Sequence, residues 1–258
     1  MDLQLNGKTA LVTGSTAGIG LAIAQALAKE GASVIVNGRT EERVRAAIET
    51  SGAAHGIAAD LGTEAGARKL IAEFGQVDIL VNNLGIFEPK PFAEITDDDW
   101  RRFFEVNVLS GVRLSRHYIG AMKERNWGRI VFISSESALQ IPPEMIHYGM
   151  TKTAQLAISR GLAETTAGTA VTVNAVLPGP TASEGVTEFV QQLAKGQGTD
   201  VAVVEREFFR DVRPSSLIKR FATPAEVAVL VAFVCSPLAA AINGAALRVD
   251  GGVVRSIA

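Results

Sequence analysis

The chain reads Thr-Ala-Leu-Val-Thr-Gly-Ser-Thr-Ala-Gly-Ile-Gly over residues 9–20, an apolar run that passes into closely spaced glycines. The run Thr9–Thr13 predicts a buried β-strand, and the apolar pattern after the glycines predicts a helix over Ile19–Lys29. A turn from a strand into a helix presents free backbone N–H groups and the positive end of the helix dipole. The stretch therefore predicts a phosphate-binding turn, although its glycine spacing alone also fits a tight structural turn.

The same alternation of short apolar runs and longer helical stretches continues along the chain. The runs are mostly apolar throughout, which is typical of a parallel sheet that helices cover on both faces. The predicted fold is α/β, a Rossmann-type doubly wound parallel sheet of about seven strands forming a single domain over residues 1–258. The predicted strands are Thr9–Thr13, Val34–Asn37, Gly56–Ala59, Ile79–Asn82, Ile130–Ser134, Val171–Val176 and Ala245–Val249.

One segment departs from this alternation. Residues 178–214 combine many charges with the tripeptide Gly196-Gln197-Gly198, and the pattern predicts an irregular insertion. Because compact domains seldom carry long loops without a role, we expect a substrate loop or lid at about residues 180–215. A disordered surface loop is the alternative.

Composition and charge exclude several classes of function. The formal net charge of −2 provides no basic field to attract nucleic acid, and no apolar run is long enough to span a bilayer. No leader-type pattern precedes Thr9, so we expect a cytoplasmic protein with neither nucleic-acid nor membrane partners. His55 and His117 have no metal-ligand partners at suitable spacing, and no metal site is expected.

The end of the second predicted strand bears on which nucleotide the turn binds. An acidic residue there accepts a hydrogen bond from the ribose 2′-hydroxyl of NAD, whereas an arginine accommodates the 2′-phosphate of NADP. The chain reads Val36-Asn37-Gly38-Arg39-Thr40, without an acid. We therefore expect NADP in preference to NAD, with Arg39 at the phosphate and the hydroxyls of Ser15 and Thr16 assisting. An Arg39 that is an ordinary solvated residue is the alternative.

A tyrosine and a lysine form the candidate catalytic pair. Tyr148 and Lys152 are four positions apart, so on a helix they lie one turn apart on the same face. A nearby cation lowers the pKa of a phenol, which makes the pair a candidate proton donor to a carbonyl. The pattern alone also occurs on solvated helix faces. Polar groups at Ser134-Ser135 and Asn82-Asn83 strengthen it, because parallel strands end at a common ligand crevice.

These stretches together resemble the short-chain dehydrogenase/reductase family over nearly the whole chain. The resemblance rests on the glycine turn, on Tyr148 with Lys152, and on several shorter motifs. These are Asp60-Leu61, Asn82–Gly85, Asn107, Ser135, Pro178-Gly179 and Val249–Gly252.

The resemblance implies a catalytic tetrad. It implies that Tyr148 is the general acid/base, that Lys152 binds the nicotinamide ribose and tunes the tyrosine, and that Ser135 hydrogen-bonds the substrate oxygen. Ser135 is preferred to Ser134 because it lies 13 positions before Tyr148, the usual family spacing. Asn107 matches a helix asparagine that holds a water relaying protons to the lysine, with a helix-capping asparagine as the alternative.

The resemblance also implies a set of cofactor contacts, with two departures. Leu84 replaces the smaller alanine of the family pattern, and it presses on the cofactor or shapes the substrate pocket. The threonine that binds the nicotinamide amide aligns with Ser183, although Thr181 is nearer the turn and either hydroxyl can serve. The predicted contacts are Gly14, Ser15, Thr16, Gly18, Ile19, Gly20, Arg39, Asp60, Leu61, Asn83, Gly85, Tyr148, Lys152, Pro178, Gly179, Thr181 and Ser183.

The activity that follows is hydride transfer between NADP(H) and a small-molecule carbonyl or secondary alcohol. An NAD(H)-dependent dehydrogenase of the same family and a non-catalytic nucleotide-sensing protein are the alternatives. His147 adjoins Tyr148, so it either touches substrate or serves at the start of the helix. The resemblance further implies a homotetramer or homodimer.

Overall fold

A parallel sheet forms the centre of the computed structural model, which describes residues 1–257 apart from the side chain of Phe189. Ala258, the last residue of the predicted domain, lies outside this range. The strands are β1 (Thr9–Val12), β2 (Ser33–Gly38), β3 (His55–Ala58), β4 (Ile79–Asn82), β5 (Gly128–Ile133), β6 (Val171–Pro178) and β7 (Ala246–Val249). All seven predicted strands are therefore confirmed, with ends that differ by at most two residues.

The strand order creates a crevice beside β1. The sheet runs β3-β2-β1-β4-β5-β6-β7, and every pairing is parallel. Leu11 of β1 lies opposite Ile35 of β2 on one side and Leu80 of β4 on the other. The chain thus winds outward in both directions from β1, which confirms the predicted doubly wound fold and opens a ligand crevice at the carboxyl ends of the strands.

Helices cover both faces of the sheet. The helices are α1 (Gly18–Lys29), α2 (Glu41–Ser51), α3 (Glu64–Glu73), α4 (Asp97–Phe104), α5 (Ser110–Glu124), α6 (Ile146–Glu164), α7 (Glu184–Gln197), α8 (Val201–Glu207) and α9 (Pro224–Cys235). One apolar core joins α1, α2 and α9 to strand residues such as Val12, and the other joins α3, α5 and α6 to alternate residues such as Leu11. Both faces of each central strand are buried, which explains why the strands lack polar alternation.

The segment predicted to be irregular is mostly helical, so that prediction was wrong. It contains α7, α8 and a π-helical turn over Phe208–Val212. Val190, Ala194 and Val204 form a small core of their own, against which Phe221 packs. The apolar residues of α7 follow helical spacing but are separated by charges, and α8 is too short for its period to stand out in the sequence.

Within residues 1–257, no helix has both the length and the apolar character that crossing a membrane requires.

Candidate active site

The turn after β1 is tightly packed around its glycines. Gly14 has a φ of +58°, and a Cβ at Gly20 would lie 2.5 Å from both the Gly14 carbonyl oxygen and Asn83 Nδ2. Asn83 Nδ2 donates to the carbonyls of Thr13 and Gly14 at 2.9 and 3.0 Å. Glycine is therefore required for the turn to lie against the end of β4.

The start of α1 is left open for an anion. The helix begins after Ala17 with no side-chain cap, and its first turn contains no acidic residue. By contrast α2, α3, α4 and α9 each follow a threonine whose hydroxyl accepts a hydrogen bond from the helix N-terminus. The unpaired N–H groups and the helix dipole fit the pyrophosphate of a dinucleotide.

Leu84 supports this turn from the core. Its backbone N–H donates to Thr13 Oγ1 at 3.0 Å, and its Cα lies 3.3 Å from the position of a Cβ at Gly14. The side chain packs against the core beneath the sheet, while Asn83 and Gly85 on either side of it line the cavity. Leu84 does not line the cavity, so the structure does not support the alternative that it shapes the substrate pocket. The alternative that it presses on the cofactor stays a prediction.

The three residues predicted to meet the 2′-phosphate have different environments near the end of β2. Arg39 is exposed and makes no hydrogen bond or ion pair within the described chain, so its guanidinium is available. The Thr16 methyl packs over Gly38, where a Cβ would lie 2.4 Å away. Ser15 is fully buried; its hydroxyl donates to Val12 O at 2.7 Å and accepts from Asn37 N at 2.9 Å. The predicted help from the Ser15 hydroxyl is therefore wrong, because strand-end backbone groups occupy it.

Asn37 is a site residue that the sequence did not predict. Position 37 drew notice only because it lies in a strand end that has no acidic side chain. Its buried side chain accepts from Gly14 N at 3.2 Å and donates to Ile57 O and Ala59 O at 3.2 and 3.0 Å. The amide thus ties the turn to the ends of β2 and β3. A polar residue closing an apolar strand is the signal that points to it.

The motif after β3 divides into an exposed residue and a buried one. Asp60 is exposed, and one carboxylate oxygen accepts from Gly62 N at 3.0 Å. Leu61 is 1% exposed and belongs to the core, so its backbone alone is available to a cofactor.

Three of the four predicted catalytic residues line one cavity of about 550 Å³, whereas the buried Asn107 does not line it. The cavity extends from the start of α1 to the start of α6. Its walls include Ser135, Tyr148 and Lys152, together with Ile19, Asn83 and Gly85.

The segment after β6 closes the cavity opposite α6. Pro178, Gly179, Thr181 and Ser183 all line it. Thr181 is 5% exposed and its hydroxyl donates to Gly179 O at 2.9 Å, whereas Ser183 precedes α7 and makes no capping hydrogen bond. Ser183 therefore has the freer hydroxyl of the two candidates.

Lys152 is held rigidly below the cavity. Its ammonium donates to Ile133 O at 2.9 Å and to Gln155 Oε1 at 3.3 Å, and it lies 5.6 Å from the centre of the Tyr148 ring. Burial lowers the pKa of Lys152 to about 8. The lysine can therefore change its protonation state near neutral pH.

The pKa of Tyr148 is shifted upward, whereas the sequence pattern predicted a downward shift caused by Lys152. Burial is the main cause, and the negative charge of Glu136 adds to it. A hydrogen bond with Ser135 and the positive charge of Arg213 partly oppose the rise. The spacing of two residues on one helix cannot report desolvation, which is the largest cause of the shift at Tyr148.

Ser135 belongs to a buried charged group that the sequence did not indicate. Its hydroxyl donates to Glu136 Oε2 in a short hydrogen bond, and Glu136 Oε1 accepts from Arg213 Nε at 3.1 Å. Arg213 also lies 3.4 Å from Glu144. The neighbouring Ser134 donates to the backbone carbonyl of Lys152 at 2.8 Å, so its hydroxyl is already occupied.

Asn107 lies in a π-helical turn over Glu105–Leu109, between α4 and α5. Its Oδ1 accepts from Ile86 N at 2.8 Å, and its Nδ2 donates to Ile86 O and Thr151 Oγ1 at 3.0 Å each. The helix continues on both sides of the turn, so the helix-capping alternative is wrong. Asn107 joins the loop after β4 to α6.

His147 lies outside the cavity, although it adjoins Tyr148. The side chain is fully buried, with its ring centre 4.0 Å from that of Phe103 and 6.0 Å from that of Trp100. Burial lowers its pKa. A contact with substrate is therefore wrong for His147. Across residues 1–257, no group of three or more His, Cys, Asp or Glu side chains is arranged to hold a metal ion.

The sheet topology, the open helix start and the Ser-Tyr-Lys group define the class of Rossmann-type oxidoreductases. Comparison with known proteins identifies the family within that class. The family model described as short chain dehydrogenase matches residues 8–194. The chain belongs to the short-chain dehydrogenase/reductase family.

Similarity to individual members extends over the full length. The chain is 54% identical over 263 residues to the uncharacterized oxidoreductase YvaG of Bacillus subtilis, with all of both chains covered. L-sorbose reductase from Gluconobacter frateurii, solved with NADPH and L-sorbose, has a TM-score of 0.91 and 33% identity, again with complete coverage. The 3-ketoacyl-(acyl-carrier-protein) reductase from Brucella melitensis, solved with NADH, has a TM-score of 0.82 and 30% identity, covering 97% of this chain and 99% of that chain.

Proposed function

We propose that the protein transfers a hydride between NADP(H) and a carbonyl or secondary-alcohol substrate, with Tyr148 as the general acid/base. One observation carries the proposal: Ser135, Tyr148 and Lys152 line the same cavity as Ile19 at the open start of α1. This arrangement supports a proton donor beside a dinucleotide site, which carbonyl reduction requires.

Each catalytic side chain has a distinct task in this proposal. Tyr148 gives its phenolic proton to the carbonyl oxygen in reduction and takes it back in oxidation. Ser135 orients that oxygen once its hydroxyl turns away from Glu136, and Lys152 holds the cofactor ribose and supports the charge change at the tyrosine. A bound nicotinamide supplies or accepts the hydride.

The preference for NADP rests on Arg39. Its unpaired, exposed guanidinium follows β2 directly and is suited to a 2′-phosphate. The L-sorbose reductase was solved with NADPH and the Brucella reductase with NADH, so family membership alone does not decide the cofactor. The contacts proposed for the rest of the nucleotide are Gly14, Thr16, Gly18, Gly20, Asp60, Asn83, Gly85, Pro178, Gly179 and Ser183, with backbone contacts from Ser15 and Leu61.

The cavity favours a substrate with an apolar part. Phe87, Met145, Val186 and Phe208 line its outer portion, while Ser135 and Tyr148 form the polar end. We propose that α7 and α8, within the predicted lid at about residues 180–215, cover the substrate in the cavity. The homotetramer or homodimer that the resemblance implies remains a prediction.

Nucleotide affinity tests the cofactor assignment. NADPH and NADH binding are measured by nucleotide fluorescence for the wild type, for Arg39→Ala, and for Arg45→Ala, which removes an exposed arginine from α2. NADPH should bind more tightly than NADH, and Arg39→Ala should weaken NADPH binding roughly 10- to 100-fold, the value of a charge-assisted hydrogen bond. Arg45→Ala should change neither affinity. Equal affinity for both nucleotides would contradict the NADP preference.

Measuring turnover distinguishes the proposed enzyme from the alternative of a non-catalytic nucleotide sensor. A panel of apolar ketones and aldehydes should cause a fall in NADPH absorbance, and Tyr148→Phe should reduce the rate by roughly a hundredfold or more, with nucleotide affinity retained. Nucleotide binding without any substrate-dependent turnover would favour the sensor.

A further inference from the structure

Gln155 connects two members of the predicted tetrad. It lies on α6 three residues after Lys152 and is 2% exposed. Its Oε1 accepts from Lys152 Nζ at 3.3 Å, and its Nε2 donates to the backbone carbonyl of Asn107 at 2.6 Å. One carboxamide thus spans the distance between the lysine and the π-helical turn.

These hydrogen bonds restrict the ammonium group. A lysine ammonium has three N–H donors, and Ile133 O and Gln155 Oε1 engage two of them. One donor is left for the cavity, where Gly85 is close enough that a Cβ on it would lie 3.4 Å from Nζ. Gln155 therefore sets the direction in which Lys152 can offer its remaining proton.

The orientation of the Gln155 carboxamide also restricts proton movement from Lys152 toward Asn107. Its oxygen faces the ammonium and its NH₂ group faces the Asn107 carbonyl, so a proton leaving Lys152 finds an amide at this position. An amide does not relay protons as a water molecule does. In the family pattern, a water held by this asparagine performs that relay.

We propose that Gln155 is a positioning residue that anchors Lys152 and closes the path from Lys152 to Asn107, so that protons reach Tyr148 from the cavity. The part of this proposal that concerns proton supply to Tyr148 rests on the proposed function. When Tyr148 gives its proton to the carbonyl oxygen, a proton from Lys152 or from water in the cavity replaces it. Where Lys152 gave the proton, its neutral amine then has a lone pair facing the cavity, and this lone pair takes up a proton from solvent water.

The chain offers a matched control one turn further along α6. Ser159 is 2% exposed, and its hydroxyl has no hydrogen-bond partner in the described structure. Ser159→Ala therefore alters a buried polar group on the same helix without touching Lys152. Gln155→Leu retains the approximate size of the side chain but removes both hydrogen bonds, and Gln155→Glu places a carboxylate beside the ammonium.

The first readout is the pKa of Lys152 in the protein without nucleotide, measured by NMR of ¹³C-labelled lysine and assigned by its loss in Lys152→Met. Gln155→Leu should lower this pKa by about one unit, since the charged form loses an acceptor, and Gln155→Glu should raise it. Ser159→Ala should leave it unchanged. Tyr148 on α6, Glu136 after β5 and Arg213 at the end of the lid also face this region, and all three are retained in every variant.

The second readout is turnover with NADPH and a carbonyl substrate. Gln155→Leu should lower kcat roughly 10- to 100-fold through misplacement of Lys152, with KM for the carbonyl nearly unchanged because Gln155 does not line the cavity. The basic limb of the kcat profile should follow the direction of the Lys152 shift in each variant. A Lys152 pKa that is the same in all folded variants would overturn the proposal. Because NMR requires no turnover, that result differs from a failure of the proposed function, in which the wild type reduces no carbonyl.

Discussion

Burial and the charges around Tyr148 shift the pKa of its phenol. Burial raises the pKa of Tyr148 and lowers that of Lys152 to about 8, so burial disfavours the charged form of each group. Glu136 strengthens the effect on the tyrosine, while Arg213 opposes it. The pH dependence of the reaction should therefore depend on residues outside the tetrad.

Glu136→Gln should lower the pKa of Tyr148, because it removes a negative charge that disfavours the phenolate. In the proposed reaction, reduction needs both the Lys152 ammonium and a protonated Tyr148, whose pKa is the higher of the two. The Tyr148 step of the kcat profile, above the Lys152 step, should therefore move to lower pH. Oxidation needs the phenolate, so its low-pH limb should move in the same direction. The pH profiles of both reactions check this prediction.

Glu144→Gln is the matched control for this experiment. Glu144 contacts the same guanidinium as Glu136, but it is half-buried and does not bond to Ser135. Its neutralisation should move the profile less than that of Glu136. An equal shift in both variants would assign the effect to Arg213 instead.

At the scale of elements, the strand–turn–helix unit of β1 and α1 combines close packing with an uncapped helix start. Gly20 shows how little space the turn has, since a Cβ there would meet the Gly14 carbonyl and Asn83. The carbonyl belongs to the backbone and cannot rotate away as a side chain can. The turn would have to shift, and with it the N–H groups proposed to bind phosphate.

Gly20→Ala should therefore weaken nucleotide binding by roughly tenfold or more, because a displacement of the N–H donors costs at least one charge-assisted hydrogen bond. Gly196→Ala on α7 is the control, since a Cβ there meets no atom within 4 Å. It should retain the affinity and gain up to about 1 kcal/mol in the free energy of unfolding from helix propensity. Fluorescence titration and denaturant unfolding test both variants. Wild-type affinity in Gly20→Ala would show that the turn tolerates the shift.

At the scale of the whole molecule, Arg213 connects the segment containing α7 and α8 to the catalytic centre. It is 8% exposed and pairs with Glu136, 77 positions earlier in the chain. Removing one partner of a buried pair leaves the other charge uncompensated, at a cost of about 3–5 kcal/mol. The contact should therefore hold the proposed lid in place.

Arg213→Ala should increase amide hydrogen exchange across α7 and α8 and raise KM for the carbonyl substrate. Arg210→Ala provides the comparison, because its pairs with Asp211 and Glu207 are exposed and such pairs contribute at most about 1 kcal/mol. Exchange should stay near the wild-type level in that variant. Equal exchange in both variants would mean that the buried pair does not hold the segment.

Local patterns were sufficient for the strands, the strand–turn–helix unit of β1 and α1, and the pairing of Tyr148 with Lys152. Apolar runs mark strands that are buried on both faces, and the spacing of Tyr148 and Lys152 places them on one helix face. These features depend on neighbours within a few residues along the chain. The family resemblance added Ser135 and Asn107, which local spacing alone does not single out.

Only the tertiary structure decided the environment of those residues. It buried the hydroxyl of Ser15 in strand-end hydrogen bonds, shifted the pKa of Tyr148 upward, and brought Arg213 to Glu136 and Gln155 to Asn107. Desolvation and long-range pairing depend on which distant segments pack together, and no local spacing contains that information. The sequence therefore indicated the groups that are proposed to perform the chemistry, whereas the packing of distant segments fixed their hydrogen bonds and shifted their pKa values.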